Sequence, residues 1–124
     1  MAHKLGKTVL VIDDEVIVRV TLARMLELSG YRVLQAANGR EGLKVFAREP
    51  VDLVICDIIM PEKEGIETIG AIRCKNRSVK IIAMSGGGRM GSGGFLDMAV
   101  RLGADHTLAK PFDREDLKSL LRQV

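Results

Sequence analysis

Apolar residues in this chain fall into short unbroken runs separated by longer stretches at helical spacing, and the two patterns alternate from end to end. Residues 8–12, Thr-Val-Leu-Val-Ile, form a run with the look of a fully buried strand. Residues 15–28 then place Val16, Val20, Ala23, Leu26 and Leu28 at roughly helical intervals and close at Ser29-Gly30, so a helix is expected with those five on its packed side. Residues 31–36 alternate as a second strand, and Asn38-Gly39 marks a turn. A helix over 40–48 follows, with Leu43, Val45, Phe46 and Ala47 as its apolar face and Pro50 as its stop. A third strand over 51–56 leads to a helix over 64–75 carrying Ile66, Ile69 and Ile72, then a strand over 79–84. Helices over 95–102, ended by Gly103, and over 113–121 flank a short strand at 105–108. Five strand-helix units in succession predict an α/β fold: a parallel sheet with helices wound over both faces, because right-handed crossovers require that wrapping.

Composition narrows this picture. The 124 residues suit one domain spanning 1–124, with no room for a second. Hydrophobic residues make up 47% of the chain but only four are aromatic, Tyr31, Phe46, Phe95 and Phe112, so the core must be built of Val, Ile, Leu and Met, as buried parallel strands require. The net charge of +3 is spread out except at Arg73, Lys75, Arg77 and Lys80, which read as cations at a helix C-terminus rather than as a nucleic-acid patch; no direct nucleic-acid binding is expected. Cys56 lies within an apolar strand and Cys74 is distant without metal-ligand spacing, so inert thiols are expected. No run approaches a membrane span and residues 1–7 lack a signal-peptide core, which points to a cytoplasmic protein without membrane partners.

The chemistry gathers at the strand ends. Asp13-Asp14 follows the first strand, Asp57 the third, Ser85 the fourth, and Lys110-Pro111 the fifth. In an open parallel sheet the carboxyl ends of neighbouring strands border one crevice, so these distant residues are expected to meet. Three carboxylates facing one lysine call for a further cation, and a hard ion such as Mg²⁺ favours oxygen ligands of this type. Taken singly, each has an ordinary explanation: Asp13 or Asp14 as a helix N-cap, Ser85 or Asp57 as a turn residue, Lys110 as a solvated side chain. Their coincidence at four strand ends argues for a common acidic pocket.

With Asp13-Asp14, Asp57 followed by Met60-Pro61 and Gly65, Ser85, and Lys110-Pro111-Phe112, the chain resembles the receiver domains of two-component response regulators, over essentially its whole length and in the manner of chemotaxis regulators. The resemblance implies a doubly wound, flavodoxin-like sheet of five parallel strands in the order 2-1-3-4-5. It implies that Asp57 accepts a phosphoryl group from a phosphohistidine on a sensor histidine kinase or a phosphotransfer protein, as a step of a two-component system or phosphorelay. Mg²⁺ would be bound by Asp14 and Asp57 directly, by Asp13 through water, and by the backbone carbonyl of Ile59. Lys110 would contact one phosphoryl oxygen, and Ser85 would donate its hydroxyl to another. The protein would then act on an unidentified downstream target through a conformational change, catalysing nothing beyond its own phosphorylation and dephosphorylation.

The chain departs from that pattern in three places. Thr107 stands where family members usually carry Tyr or Phe, and His106 points to the opposite face, so a conventional aromatic switch is not expected. Ile59 and Gly87, two residues beyond Asp57 and Ser85, cannot activate water, which predicts a persistent phosphoryl group. Residues 86–94 are too rich in glycine for a rigid helix start and are expected to form a mobile loop that Mg²⁺ and a phosphoryl mimic would order. Other functions fit less well. Gly86-x-Gly88-x-x-Gly91 matches a dinucleotide fingerprint only formally, since it follows the fourth strand and lacks the later acidic partner. An aspartate-nucleophile phosphohydrolase would place its nucleophile after the first strand with another Asp two positions on, where this chain has Glu15. A non-phosphorylated binding module of the same fold would not need the full acidic set.

Overall fold

The computed structural model describes residues 6–58, 64–85 and 92–124, and of Glu64 and residues 92–96 the backbone alone. Ten elements alternate: β1 Thr8–Ile12, α1 Val16–Leu28, β2 Arg32–Ala36, α2 Gly39–Arg48, β3 Leu53–Asp57, α3 Glu64–Lys75, β4 Lys80–Ser85, α4 Ser92–Leu102, β5 His106–Ala109 and α5 Arg114–Leu121. All four strand pairings are parallel and the order is β2-β1-β3-β4-β5, as the resemblance implies. Every residue of β1 and β3 is buried, and so is all of β4 after Lys80, because helices cover both faces of these central strands. The edge strand β2 is only partly covered.

Alternation along the strands divides the core into two layers. Leu10, Ile12, Val54, Cys56, Ile81 and Ala83 face α2, α3 and α4, where Ile66, Ile69 and Ile72 meet them as the helical spacing predicts. Val9, Val11, Ile55, Ile82 and Met84 face the other way, against Leu22 and Leu26 of α1 and Leu117 and Leu121 of α5. Burying each Leu or Ile stabilises the fold by about 1.5–3 kcal/mol before the entropy of ordering is set against it.

Two expectations about the helices need correcting. In α1 the buried residues are Leu22, Ala23 and Leu26, whereas Val16, Val20 and Leu28 are at least half exposed and Ile17 is 80% exposed. The helix is apolar on nearly every side, so spacing alone does not fix which stripe turns inward. The second correction concerns α4, which begins at Ser92 and holds Gly93 and Gly94 within its first turn, not in a loop. Residues 86–91 lie outside the described residues. Elsewhere the boundaries agree within about two residues, and Gly103 ends α4 at φ +124°, a conformation that favours glycine.

Candidate functional site

Strand register alone sets the site. Ile12 is level with Cys56, which brings Asp13 alongside Asp57. Asp57 pairs with Met84, and Ser85 pairs with Ala109, so the residues after them form one row along the carboxyl edge of the sheet. Asp13, Asp57 and Ser85 are buried although polar, and Asp14 is exposed. The backbone of Asp13 is itself tied in, its N–H donating to the Ala36 carbonyl at 3.1 Å and its carbonyl accepting from Arg19 at 2.9 Å.

Lys110 reaches into this row from the end of β5. Its N–H donates to the Ser85 carbonyl at 2.8 Å, and the Lys110-Pro111 peptide bond is cis. Its ammonium contacts Asp13 Oδ2 at 2.9 Å, Asp57 Oδ2 at 3.2 Å and Glu15 Oε1 at 3.3 Å. The side chain of Lys110 is 10% exposed and that of Glu15 is 63% exposed. Burial pulls the lysine pKa down, but the hydrogen bond it donates to Asp13, the charges of Asp57 and Asp13 and the hydrogen bond it donates to Asp57 together outweigh it, and the net shift is upward from 10.5. Lys110 is therefore a fixed positive charge at neutral pH.

Asp13, Asp14 and Asp57 each offer one carboxylate oxygen, and the three atoms lie within 4.8 Å of one another, close enough to share a metal ion. An all-oxygen, anionic donor set of this kind suits a hard divalent cation such as Mg²⁺. The fourth expected ligand, the Ile59 carbonyl, lies outside the described residues, as do Met60, Pro61 and Gly87. Gly65 shows why a residue without a side chain follows Asp57 at this distance: a Cβ there would press on the Asp57 carbonyl oxygen and stand 2.5 Å from the Ile58 Cα. Backbone cannot yield as a flexible side chain could, so an alanine at 65 would push the Asp57 carboxylate off its place. Thr107 is exposed on β5 and lines an open cavity of about 370 Å³ with Leu120 of α5 and Gln123 just beyond that helix, and no aromatic side chain is among its lining residues.

Two side chains make contacts here that sequence reasoning did not place. Glu15, which in the sequence stands only where a phosphohydrolase would have Asp, follows Asp14 on the same loop and contacts the same lysine; its nearness to two pocket residues is the available signal. Arg73, expected as a cation at a helix C-terminus, does lie in the last turn of α3, and its guanidinium donates to the carbonyls of Asn76, Arg77, Val79 and Gly103 and to Asp105 Oδ2 at 2.8 Å. That network accounts for one of the four clustered cations by structure alone. Among the described residues, no helix is long and apolar enough to cross a membrane.

The chain is similar to proteins already known. The chemotaxis protein CheY of Thermotoga maritima is 34% identical over 121 residues, covering 97% of this chain and 98% of that one. The probable transcriptional regulator ycf27 of Guillardia theta is 36% identical over 116 residues, covering 94% of this chain but 44% of the relative, so the chain spans less than half of that regulator. Among solved structures, the response regulator TrrA of Thermotoga maritima, determined in complex with Mg²⁺ and beryllofluoride, is 37% identical with a TM-score of 0.83, covering 94% of this chain and 97% of that one. The family described as response regulator receiver domain matches residues 9–122, from the first strand through the last helix and across every side chain of the acidic row. With its parallel sheet in the order 2-1-3-4-5 and this match over nearly its full length, the chain belongs to the response regulator receiver domain family.

Proposed function

We propose that the chain is a single receiver domain over residues 1–124 whose Asp57 carboxylate takes up a phosphoryl group from a phosphohistidine on a sensor histidine kinase or a histidine phosphotransfer protein. In that transfer an Asp57 oxygen bonds to phosphorus as the bond from phosphorus to imidazole breaks, and the imidazole leaves with its electron pair and is protonated. The observation that carries this reading is the contact of Lys110 Nζ with Asp57 Oδ2 at 3.2 Å inside a cluster of three carboxylates. A carboxylate attacking an anionic phosphoryl group must have the repulsion offset, and a buried ammonium beside it does so.

Asp14 and Asp57 would hold Mg²⁺ directly and Asp13 through water, with the Ile59 carbonyl completing the protein's share; bound there, the ion supplies further positive charge to the phosphoryl oxygens. Lys110 stabilises one phosphoryl oxygen and the Ser85 hydroxyl another, which pulls the end of β4 toward Asp57 and gives the local change that signalling needs. With Thr107 in place of an aromatic ring, that change does not travel by a ring rotation through β5. The chain acts on itself and turns over no separate substrate. The test is intact-mass analysis after incubation with a small-molecule phosphodonor. One phosphoryl group is expected with Mg²⁺ and none in the Asp57→Asn variant; equal labelling of that variant would overturn the assignment.

A further inference from the structure

The third carboxylate on Lys110 has no part in the acceptor chemistry described so far. Glu15 sits at the mouth of the site, 63% exposed, with its Oε1 3.3 Å from the lysine ammonium. Asp13, in contrast, has no exposure and is anchored at both oxygens, Oδ2 by Lys110 and Oδ1 by the Glu15 N–H at 2.9 Å. An ammonium has three N–H donors, so Asp13, Asp57 and Glu15 together engage all of them. One positive charge is thus divided among three negative ones. A phosphoryl group arriving on Asp57 adds charge on the same side, and the partner that can be surrendered at least cost is the solvated one. Glu15 has room to go: its exposed side chain can turn into solvent at the mouth of an open cavity of about 440 Å³ between α1 and the segment after β5, which it lines with Ile17, Met25, Pro111 and Phe112.

We propose that Glu15 is a positioning residue that restrains Lys110 in the unphosphorylated state and weakens its hold on the phosphoryl group, so that the resting chain is favoured until Glu15 swings away. The inference rests on the acceptor reading of Asp57 and deepens it. Its action is on an equilibrium between two arrangements of one lysine, and Glu15 itself bonds to neither the phosphorus nor the phosphoryl oxygens.

The experiment titrates beryllofluoride, with Mg²⁺ present, into the full chain and into its Glu15→Gln and Glu15→Ala variants, following the backbone amide resonances of Ala109 and Lys110 at low and high salt. Both variants are expected to bind about 1.5- to 5-fold more tightly than the parent at low salt, the range that an exposed ion pair supports. The gain should shrink as salt screens the carboxylate. A merely structural Glu15 would lower the unfolding midpoint of the unliganded variants and leave the affinity where it was. Equal or weaker binding by both variants, with the parent chain binding normally, overturns the inference and leaves the reading of Asp57 intact. Failure of the parent chain to take up beryllofluoride or a phosphoryl group overturns that reading, and the role of Glu15 with it.

Discussion

Lys110 carries the electrostatics of the pocket, and its titration has a definite sign. Burial disfavours the ammonium, but Asp13 and Asp57 favour it more, so its pKa in the folded chain lies above the 10.5 of an unstructured lysine. A cation whose pKa rises on folding contributes stability that is fully present below pH 10.5 and is lost as the pH climbs through the higher folded value. Urea midpoints measured from pH 7 to 12 should therefore hold this contribution until beyond pH 10.5 and then fall, and Lys110→Met should lack that alkaline component. Asp13, Asp14, Asp57, Ser85 and Lys110 were all legible in the sequence, because each ends or follows an apolar run and parallel strands align such ends. Glu15 was not, because an exposed Glu on a loop looks the same whether it reaches water or a lysine. Ile59 and Gly87, expected to govern water at the phosphoryl group, lie outside the described residues.

Among the elements, α5 shows how a short helix is held. It has only eight residues, too few to be stable alone, and it packs through Leu117 and Leu121 while a capping box closes its start. Asp113 Oδ1 accepts from the Asp116 N–H at 2.8 Å, and Asp116 Oδ2 accepts from the Asp113 N–H at 3.0 Å. Asp113→Ala is expected to cost about 1 kcal/mol of stability, read from chemical denaturation, with phosphorylation of Asp57 retained because the cap's hydrogen bonds are made to Asp116 within the helix's own first turn. The helices also mark where the sequence was harder to read. The face of α3 was plain, since Ile66, Ile69 and Ile72 are the only large aliphatic side chains in the helix. That of α1 was not: Val16, Ile17, Val18, Val20, Leu22, Met25, Leu26 and Leu28 leave no polar side to set the phase, and Leu22 and Leu26 turn inward while Val16 and Val20 stay in solvent. The start of α4 at Ser92 runs against the poor helix propensity of Gly93 and Gly94, a case of the surrounding fold overriding local preference.

At the scale of the molecule, the sheet holds together three carboxylates that repel one another, and their repulsion is part of what folding must overcome. A divalent cation that binds only the assembled cluster therefore stabilises the whole fold by mass action. Adding Mg²⁺ to ten times its dissociation constant should stabilise the chain by about 1.4 kcal/mol and raise the thermal midpoint by several degrees. Asp57→Asn should lose most of that rise, with differential scanning calorimetry as the measurement. The architecture was readable because every strand-helix unit obeys one handedness rule; the contacts that cross between units, such as those of Arg73, carry no periodicity and had to be seen. Arg73 has a consequence for motion. Its guanidinium binds the Gly103 carbonyl through both Nε and Nη2, at 3.1 and 2.7 Å, and Asp105 through Nη2, while Asp105 also accepts from the Ile81 N–H. The trailing end of α4 is thereby riveted to α3, β4 and β5, whereas its leading end follows directly on the segment after Ser85. A rod fastened at one end can pivot but not slide, so any displacement of α4 is expected as a tilt, largest at Ser92 and smallest at its heel.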